Sequence, residues 1–216
     1  MSDSFWAVYK GGTGEIVEKK SRFLATVRPV ETREEAEEFI QECKKKYYDA
    51  THNCSAFVIG EKGQTAHASD DGEPSGTAGR PMLDVLVSKG ICNVCVVVTR
   101  YFGGTLLGTG GLVKAYQKAV QEGLSDCILI EKKHGQLLNL VADYNDVGKI
   151  QYLLGQNDLL IKDSEYGEKV KFTILVPWEK KEWIQENITE LTMAKAQMDF
   201  GNEVLYGKVG KEIIVF

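Results

Sequence analysis

The sequence predicts an α+β fold in two domains, and three observations carry that expectation. At 216 residues the chain exceeds the commonest single-domain size. Its apolar pattern switches repeatedly between the period of a strand and that of a helix. After "LIEKKHGQ" the pattern begins afresh in the order βαββαβ, the split βαβ or ferredoxin-like arrangement. The expected domains are a mixed α+β domain over residues 1–132 and a ferredoxin-like α/β sandwich over 136–216, with a linker near Lys132–Gly135.

In chain order, "EIVEKKSRFLATVRPV" alternates as one or two strands, and a helix starts after Thr32. Thr32 with Glu35 forms a capping box, acidic residues crowd the start, and Lys44, Lys45 and Lys46 complement the negative end of the helix dipole. Ala36, Phe39, Ile40 and Cys43 form its apolar stripe. "CSAFVIG" reads as a strand with "TAHAS" as its partner across the Glu61-Lys62-Gly63 turn. A polar loop, "DDGEPSGTAGRP", leads into a helix with Pro81 in its first turn and Gly90 at its end. "ICNVCVVVTRYF" is the most apolar strand, and its uninterrupted run predicts a central strand covered on both faces. A glycine loop and a helix from Thr109 to about Glu122 follow, with Gly123 as the stop. The second half reads as strand "LLNLVADY", helix "NDVGKIQYLLGQN", hairpin "LLIKDSEYG"/"EKVKFTILVPW", helix "EKKEWIQENITEL" and strand "DFGNEVLYGKV".

Composition narrows the function classes. Hydrophobic residues make up 43% and charged residues 26%, as in an ordinary globular protein. No signal-peptide pattern or membrane-length apolar run is present, so a cytoplasmic protein without a membrane partner is expected. The net charge is −5, and residues 1–130 hold 15 Lys/Arg against 17 Asp/Glu, so any nucleic-acid contact must come from a local patch. Five cysteines without framework spacing suit free thiols. Cys92 and Cys95 form a C-x-x-C inside a predicted strand, on opposite faces, with no second Cys/His pair at ligand spacing. No metal and no cofactor is expected.

Two stretches carry candidate chemistry. In "TRYFGGTLLGTGGLVKAY" the spacing brings Arg100 out at the end of the central strand, ahead of Gly103, Gly104, Gly108, Thr109, Gly110 and Gly111 at a helix start, with Lys114 one turn on. Glycines give close access to a helix's unpaired amides, which suits an anion, although they serve tight packing equally well. The spacing matches no named nucleotide motif. In "SDDGEPSGTAGRP", Asp70, Asp71 and Glu73 crowd three carboxylates beside Arg80. They are weak candidates for catalysis or Mg²⁺ binding, against the alternative of turn chemistry and ion pairing. His52, Asn53, Ser75, Thr77, Tyr101 and Phe102 are the further candidates for a cleft lining.

The segments "DDGEPSGTAGRPML" and "VVVTRYFGGTLLGTGGLVKAY", with "KKSRFLA" and "THNCSAFVIG" in their expected places, resemble the bacterial YigZ-type branch of the IMPACT family. The resemblance implies a first domain similar to a fold of a small-subunit ribosomal protein and of elongation factor G domain IV. It implies a second domain similar to a ferredoxin-like domain of the same factor. It also implies a role near translation or RNA. Eukaryotic relatives regulate translation initiation through a kinase pathway, using an additional N-terminal domain. Here the shared motifs start by Lys19 and leave no room for that domain, so that role is not carried over. The family offers no established catalytic residues to transfer. The expected function is therefore a non-catalytic regulator that binds RNA, the ribosome or a translation factor through an anion-binding cleft. The alternatives are an enzyme acting on a phosphate-bearing small molecule, with Mg²⁺-dependent phosphoryl transfer or hydrolysis, and a protein-interaction module.

Overall fold

Thr32 starts the first helix as its sequence predicts: its hydroxyl accepts from Glu35 N at 3.2 Å, while the Glu35 carboxylate accepts from Glu31 N at 2.7 Å. The computed structural model, which describes residues 4–216, divides into two compact units at Glu131/Lys132.

The first unit contains β1 (Ser4–Lys10), β2 (Gly12–Glu18), β3 (Ser21–Pro29), α1 (Arg33–Lys46), β4 (His52–Ile59), β5 (Thr65–Ser69), α2 (Gly79–Ser88), β6 (Ile91–Cys92), β7 (Val94–Tyr101) and α3 (Thr109–Ser125). Five of its strands form an antiparallel sheet in the order β2-β3-β7-β4-β5, so the apolar run of β7 is central. Cys95 and Val97 face α1, whose buried residues are the predicted Ala36, Phe39, Ile40 and Cys43. The alternate residues face α3: Phe23 meets Tyr116 edge-on at 5.2 Å, and Ala25 and Val27 meet Gly123. Both faces are therefore covered, and Val94 through Val98 are fully buried.

Glycine closes the gap between sheet and helix. A Cβ on Gly14 would lie 2.4 Å from Gly123 N, and one on Gly12 would lie 2.7 Å from the Asp126 carbonyl carbon. Gly123 is thus a point of close approach inside α3, which runs on to Ser125, rather than the helix stop that its position suggests. Three other features add to or revise the expectations. β1 pairs in parallel with β6, a partner that local alternation cannot reveal. Asn93, with φ +54°, interrupts the predicted strand, so Cys92 and Cys95 lie on separate strands, β6 and β7. Lys19 and Lys20, with φ +45° and +68°, form the turn between β2 and β3, so the stretch expected as one or two strands is two.

Strand β8 (Ile128–Ala142) occupies the stretch expected to be a linker, and the division between units falls within it. After it come α4 (Tyr144–Gln156), β9 (Leu160–Tyr166), β10 (Val170–Pro177), α5 (Lys181–Leu191), β11 (Gln197–Val209) and β12 (Glu212–Val215). Within residues 132–216, β11 and β10 both pair antiparallel with β8, β9 pairs with β10, and β12 extends β11. The strand order β11-β8-β10-β9 with the chain order βαββαβ is the predicted ferredoxin-like arrangement. Its core packs Leu138, Leu140 and Phe172 of the sheet against Ile150 and Leu154 of α4 and Ile184 and Ile188 of α5.

Candidate functional site

Register places His52, Arg100 and Phe23 side by side on neighbouring strands, on the face that α3 covers, at the end where β7 runs into the glycine loop. A cavity of about 410 Å³ opens there. Arg100 and Glu73 are its charged residues and His52 adds a polar ring, Phe102, Leu106, Leu107 and Leu112 form its apolar wall, and Gly108 and Thr109 its edge at the start of α3.

A buried ion pair forms the floor. Arg100 Nη1 donates to Glu73 Oε1 at 2.6 Å, with the two side chains only 6% and 2% exposed. The same oxygen accepts from Tyr116 OH at 2.8 Å, and Arg100 Nη2 reaches Ser21 Oγ at 3.5 Å. The guanidinium lies over the rings of Phe23 and Phe102, 5.4 and 5.5 Å from their centroids. Its Nε is buried and has no hydrogen-bond partner among the described residues. His52 Nδ1 lies 2.8 Å from the Asp71 carbonyl oxygen, which can only accept, so that nitrogen carries the proton. Its Nε2 faces Glu73 Oε2 at 3.8 Å. Tyr116 lies at helical spacing from Leu112, Ala119 and Val120, so in sequence it is simply one residue of an apolar stripe on α3. A buried tyrosine hydroxyl nevertheless needs a polar partner, which is the signal that points to Glu73.

The acidic loop is built around Asp70. Its carboxylate accepts from the backbone amides of Gly76, Ala78 and Gly79 at 2.8, 3.0 and 2.8 Å, which ties the loop to the start of α2. Burial works to raise the carboxyl's pKa, and the three amides outweigh it to hold the value below the ordinary range. Asp71, at φ +44°, accepts from Asn53 N at 2.7 Å and pairs with Lys44 at 2.5 Å. Each of the three carboxylates is thus engaged by a different set of donors. Among the described residues no group of three or more His, Cys, Asp or Glu side chains is placed to hold a metal ion. The runner-up reading, Mg²⁺ held by Asp70, Asp71 or Glu73, finds no shared cation seat in this geometry.

The glycine loop divides by role. Gly103 is a packing residue: a Cβ there would lie 2.1 Å from the carbonyl carbon of Lys20, and its amide donates to Ser21 Oγ at 3.1 Å. Gly104 and Gly108 hold φ +82° and +74°. Gly108 is the N-cap of α3, with no side chain capping the helix, and Leu112 N is bonded to Gly108 O at 3.0 Å. The amides of Thr109, Gly110 and Gly111 precede that first helical bond. A Cβ on Gly108 or Gly110 would meet nothing within 4 Å, whereas one on Gly111 would touch Leu107.

Several candidates lie elsewhere. Arg80 sits on the outer face of α2, paired with Asp84 at 2.8 Å, and does not line the cavity. Lys114 is exposed on α3 and is also absent from the lining. Asn53 is buried and accepts from Thr99 Oγ1 at 2.7 Å, Thr77 closes a turn onto Pro74 O at 2.6 Å, and Ser75 is exposed on the loop. Tyr101 donates to Asp49 at 3.1 Å. Of the expected lining, His52 and Phe102 are present, while Thr51, Pro74, Leu106, Leu107 and Leu112 join them without having been anticipated.

The model of the Impact N-terminal domain matches residues 19–124, a span that contains every residue of this cavity, and a domain of unknown function, DUF1949, matches residues 140–195. IMPACT family member YvyE of Bacillus subtilis (strain 168) is 46% identical over 201 residues, covering 93% of each chain. IMPACT family member YigZ of Escherichia coli (strain K12) is 36% identical over 182 residues, covering 83% of this chain and 89% of its own. A solved structure described as the crystal structure of an hypothetical protein superimposes with a TM-score of 0.60 at 34% identity, covering 92% of this chain and 97% of that one. Among the described residues no helix is long and apolar enough to cross a membrane.

Proposed function

The chain belongs to the IMPACT family, and from that premise we propose that it is a binding protein of the translation machinery whose first-unit cavity holds a phosphate-bearing group of its partner. The observation that carries this reading is the uncapped start of α3, open over a cavity whose floor is a buried arginine. The unpaired amides of a helix start carry a partial positive charge, and with Gly108 and Gly110 no Cβ shields them.

Magnitudes favour a nucleotide over a bare phosphate. Glu73 already offsets the charge of Arg100, so the helix end supplies most of the attraction, up to about 2 kcal/mol. Stacking of a base on Phe102, a residue 47% exposed beside the guanidinium, adds about 1–3 kcal/mol. Together these terms give weak binding of a mononucleotide and weaker binding of inorganic phosphate.

Gly110→Glu tests the site. The position is open and lies in the first turn, where a carboxylate favours the helix, so the fold is retained while the incoming anion is repelled. Calorimetric titration with a nucleoside monophosphate should show at least a tenfold loss of affinity in Gly110→Glu and none in Gly110→Ala. Equal binding by Gly110→Glu and the native protein would refute the site.

A further inference from the structure

The cavity does not end at its own lining. Thr51 and Phe102, two of its edge residues, belong to a surface where three segments meet. Phe102 N donates to Thr51 Oγ1 at 3.3 Å, Thr51 N donates to Arg100 O at 2.9 Å, and Gly103 rests on the backbone of Lys20. The β2–β3 turn, the α1–β4 loop and the start of the glycine loop therefore form one continuous rim. Tyr101 ties them further: its hydroxyl donates to Asp49 of the α1–β4 loop, and the Arg22 guanidinium lies 5.7 Å from its ring centroid.

This rim is basic and aromatic. Lys19, Lys20, Lys45 and Lys46 are exposed, and no ion pair holds any of them among the described residues. The acidic residues nearby are largely occupied: Glu15 pairs with Arg22, Asp71 pairs with Lys44, and Asp49 accepts from Tyr101, leaving Glu18 exposed. Complementing the helix dipole accounts for Lys45 and Lys46 at the end of α1. It does not account for Lys19 and Lys20, which adjoin no helix end and occupy two consecutive left-handed positions where glycine or asparagine is the relaxed choice. Nor does it account for Tyr48, which is 85% exposed in the α1–β4 loop, between Lys46 and Thr51 in the chain.

We infer that this rim is the track of a single-stranded RNA whose terminal nucleotide enters the cavity, an inference that rests on the phosphate reading of the cavity and extends it. Interleaved lysines and exposed aromatic rings suit a backbone of phosphates with unstacked bases. Buried Arg100 lines the floor of the cavity, and the chain end is assigned to that floor. The rim is a local patch in a chain of net charge −5, so it confers a defined path rather than general adhesion to polyanions.

The test compares a 5′-phosphorylated octaribonucleotide with a nucleoside monophosphate on the native chain and on two surface variants, Lys45→Gln/Lys46→Gln and Lys19→Gln/Lys20→Gln. For single strands each phosphate contact contributes about 0.7 to the slope of log affinity against log salt, so removing two contacts should lower the slope by about 1.4 and the affinity roughly 25-fold in 0.1 M salt. Mononucleotide affinity should not change, and Tyr48→Ala should weaken only the octanucleotide. If the mononucleotide binds but the octanucleotide gains nothing from the rim lysines, the track is overturned and the cavity reading stands. If neither ligand binds the native chain, the cavity reading fails first. Tighter binding of a duplex of the same sequence also overturns the proposal.

Discussion

Glu73→Gln isolates the charge of the buried pair while keeping its shape. The amide oxygen can still accept from Tyr116 OH and Arg100 Nη1, so hydrogen-bond geometry at 2.8 and 2.6 Å survives and only the countercharge is lost. Arg100 then has no carboxylate partner, a 3.5 Å contact to Ser21 Oγ and an unpartnered Nε. Breaking a buried pair by removing one partner costs about 3–5 kcal/mol. Retention of the acceptor puts the expected loss at the lower end, about 3 kcal/mol. In urea titrations followed by circular dichroism, with a slope of about 1.5 kcal/mol/M, the midpoint of the first unit should fall by roughly 2 M. Phosphate should restore more stability to this variant than to the native chain, because the uncompensated guanidinium gains an anion; saturation to a hundred times the dissociation constant returns about 2.7 kcal/mol. Replacing both partners, Glu73→Leu with Arg100→Met, should cost less than the single change. A loss under about 1 kcal/mol for Glu73→Gln, or a double variant less stable than the single one, would refute the assignment of this pair as a buried charge pair.

Two further outcomes follow from the same geometry. Because the three loop amides depress the Asp70 carboxyl in the folded state, its contribution is complete above the unfolded carboxylate range and is lost as pH falls through the lowered folded value. Asp70→Asn should therefore lower stability at neutral pH by roughly 2–3 kcal/mol and flatten the acid limb of a stability–pH curve, whereas an acid limb parallel to that of the native chain would show that Asp70 has no such linkage. Burial raises every thiol, Cys54 to about 12 and Cys43 and Cys127 to about 11, and Cys127 is the only one of the five that is not buried. At pH 8 a thiol reagent should label the native chain slowly with Cys127 first, and prompt labelling of Cys54 or Cys95 would contradict the packing of β4 and β7.

Features that depend on a few neighbouring residues were legible in the sequence. The Thr32 capping box, the α1 stripe, the β4–β5 hairpin and the βαββαβ order of the second unit rest on local periodicity and turn chemistry, and each stands in the structure. Parallel pairing of β1 with β6 joins Trp6 to Ile91 and leaves no local signature. The same limit governs the site. Arg100 was visible at the end of its strand, but its partner Glu73 lies 27 residues away on a loop whose path no period describes. Lys114 and Arg80 were legible as charges, and helical phase could have placed them better. Lys114 is two residues from Leu112 and so lies on the far side of the helix, while Arg80 is four residues from Asp84 and pairs along the outer face. Gly103 reads as part of a loop for either anion access or tight packing, and Gly123 as a stop. They are contacts, and a glycine that admits a backbone is indistinguishable in sequence from one that permits a turn.

The contact between β2 and the far end of α3 also works as a lever. Gly14 and Gly12 seat that end of the helix on the sheet with no side chain of their own between them, and the start of α3 lies fourteen residues back from Gly123, about 21 Å at 1.5 Å per residue. A methyl group on Gly14 must push the helix outward at Gly123, and a tilt of about 5° there swings the other end by close to 2 Å. A displacement of that size exceeds the tolerance of a hydrogen bond. A substitution on a remote strand would thus displace the start of α3, and with it Thr109 and Leu112 of the cavity lining, without itself touching the cavity.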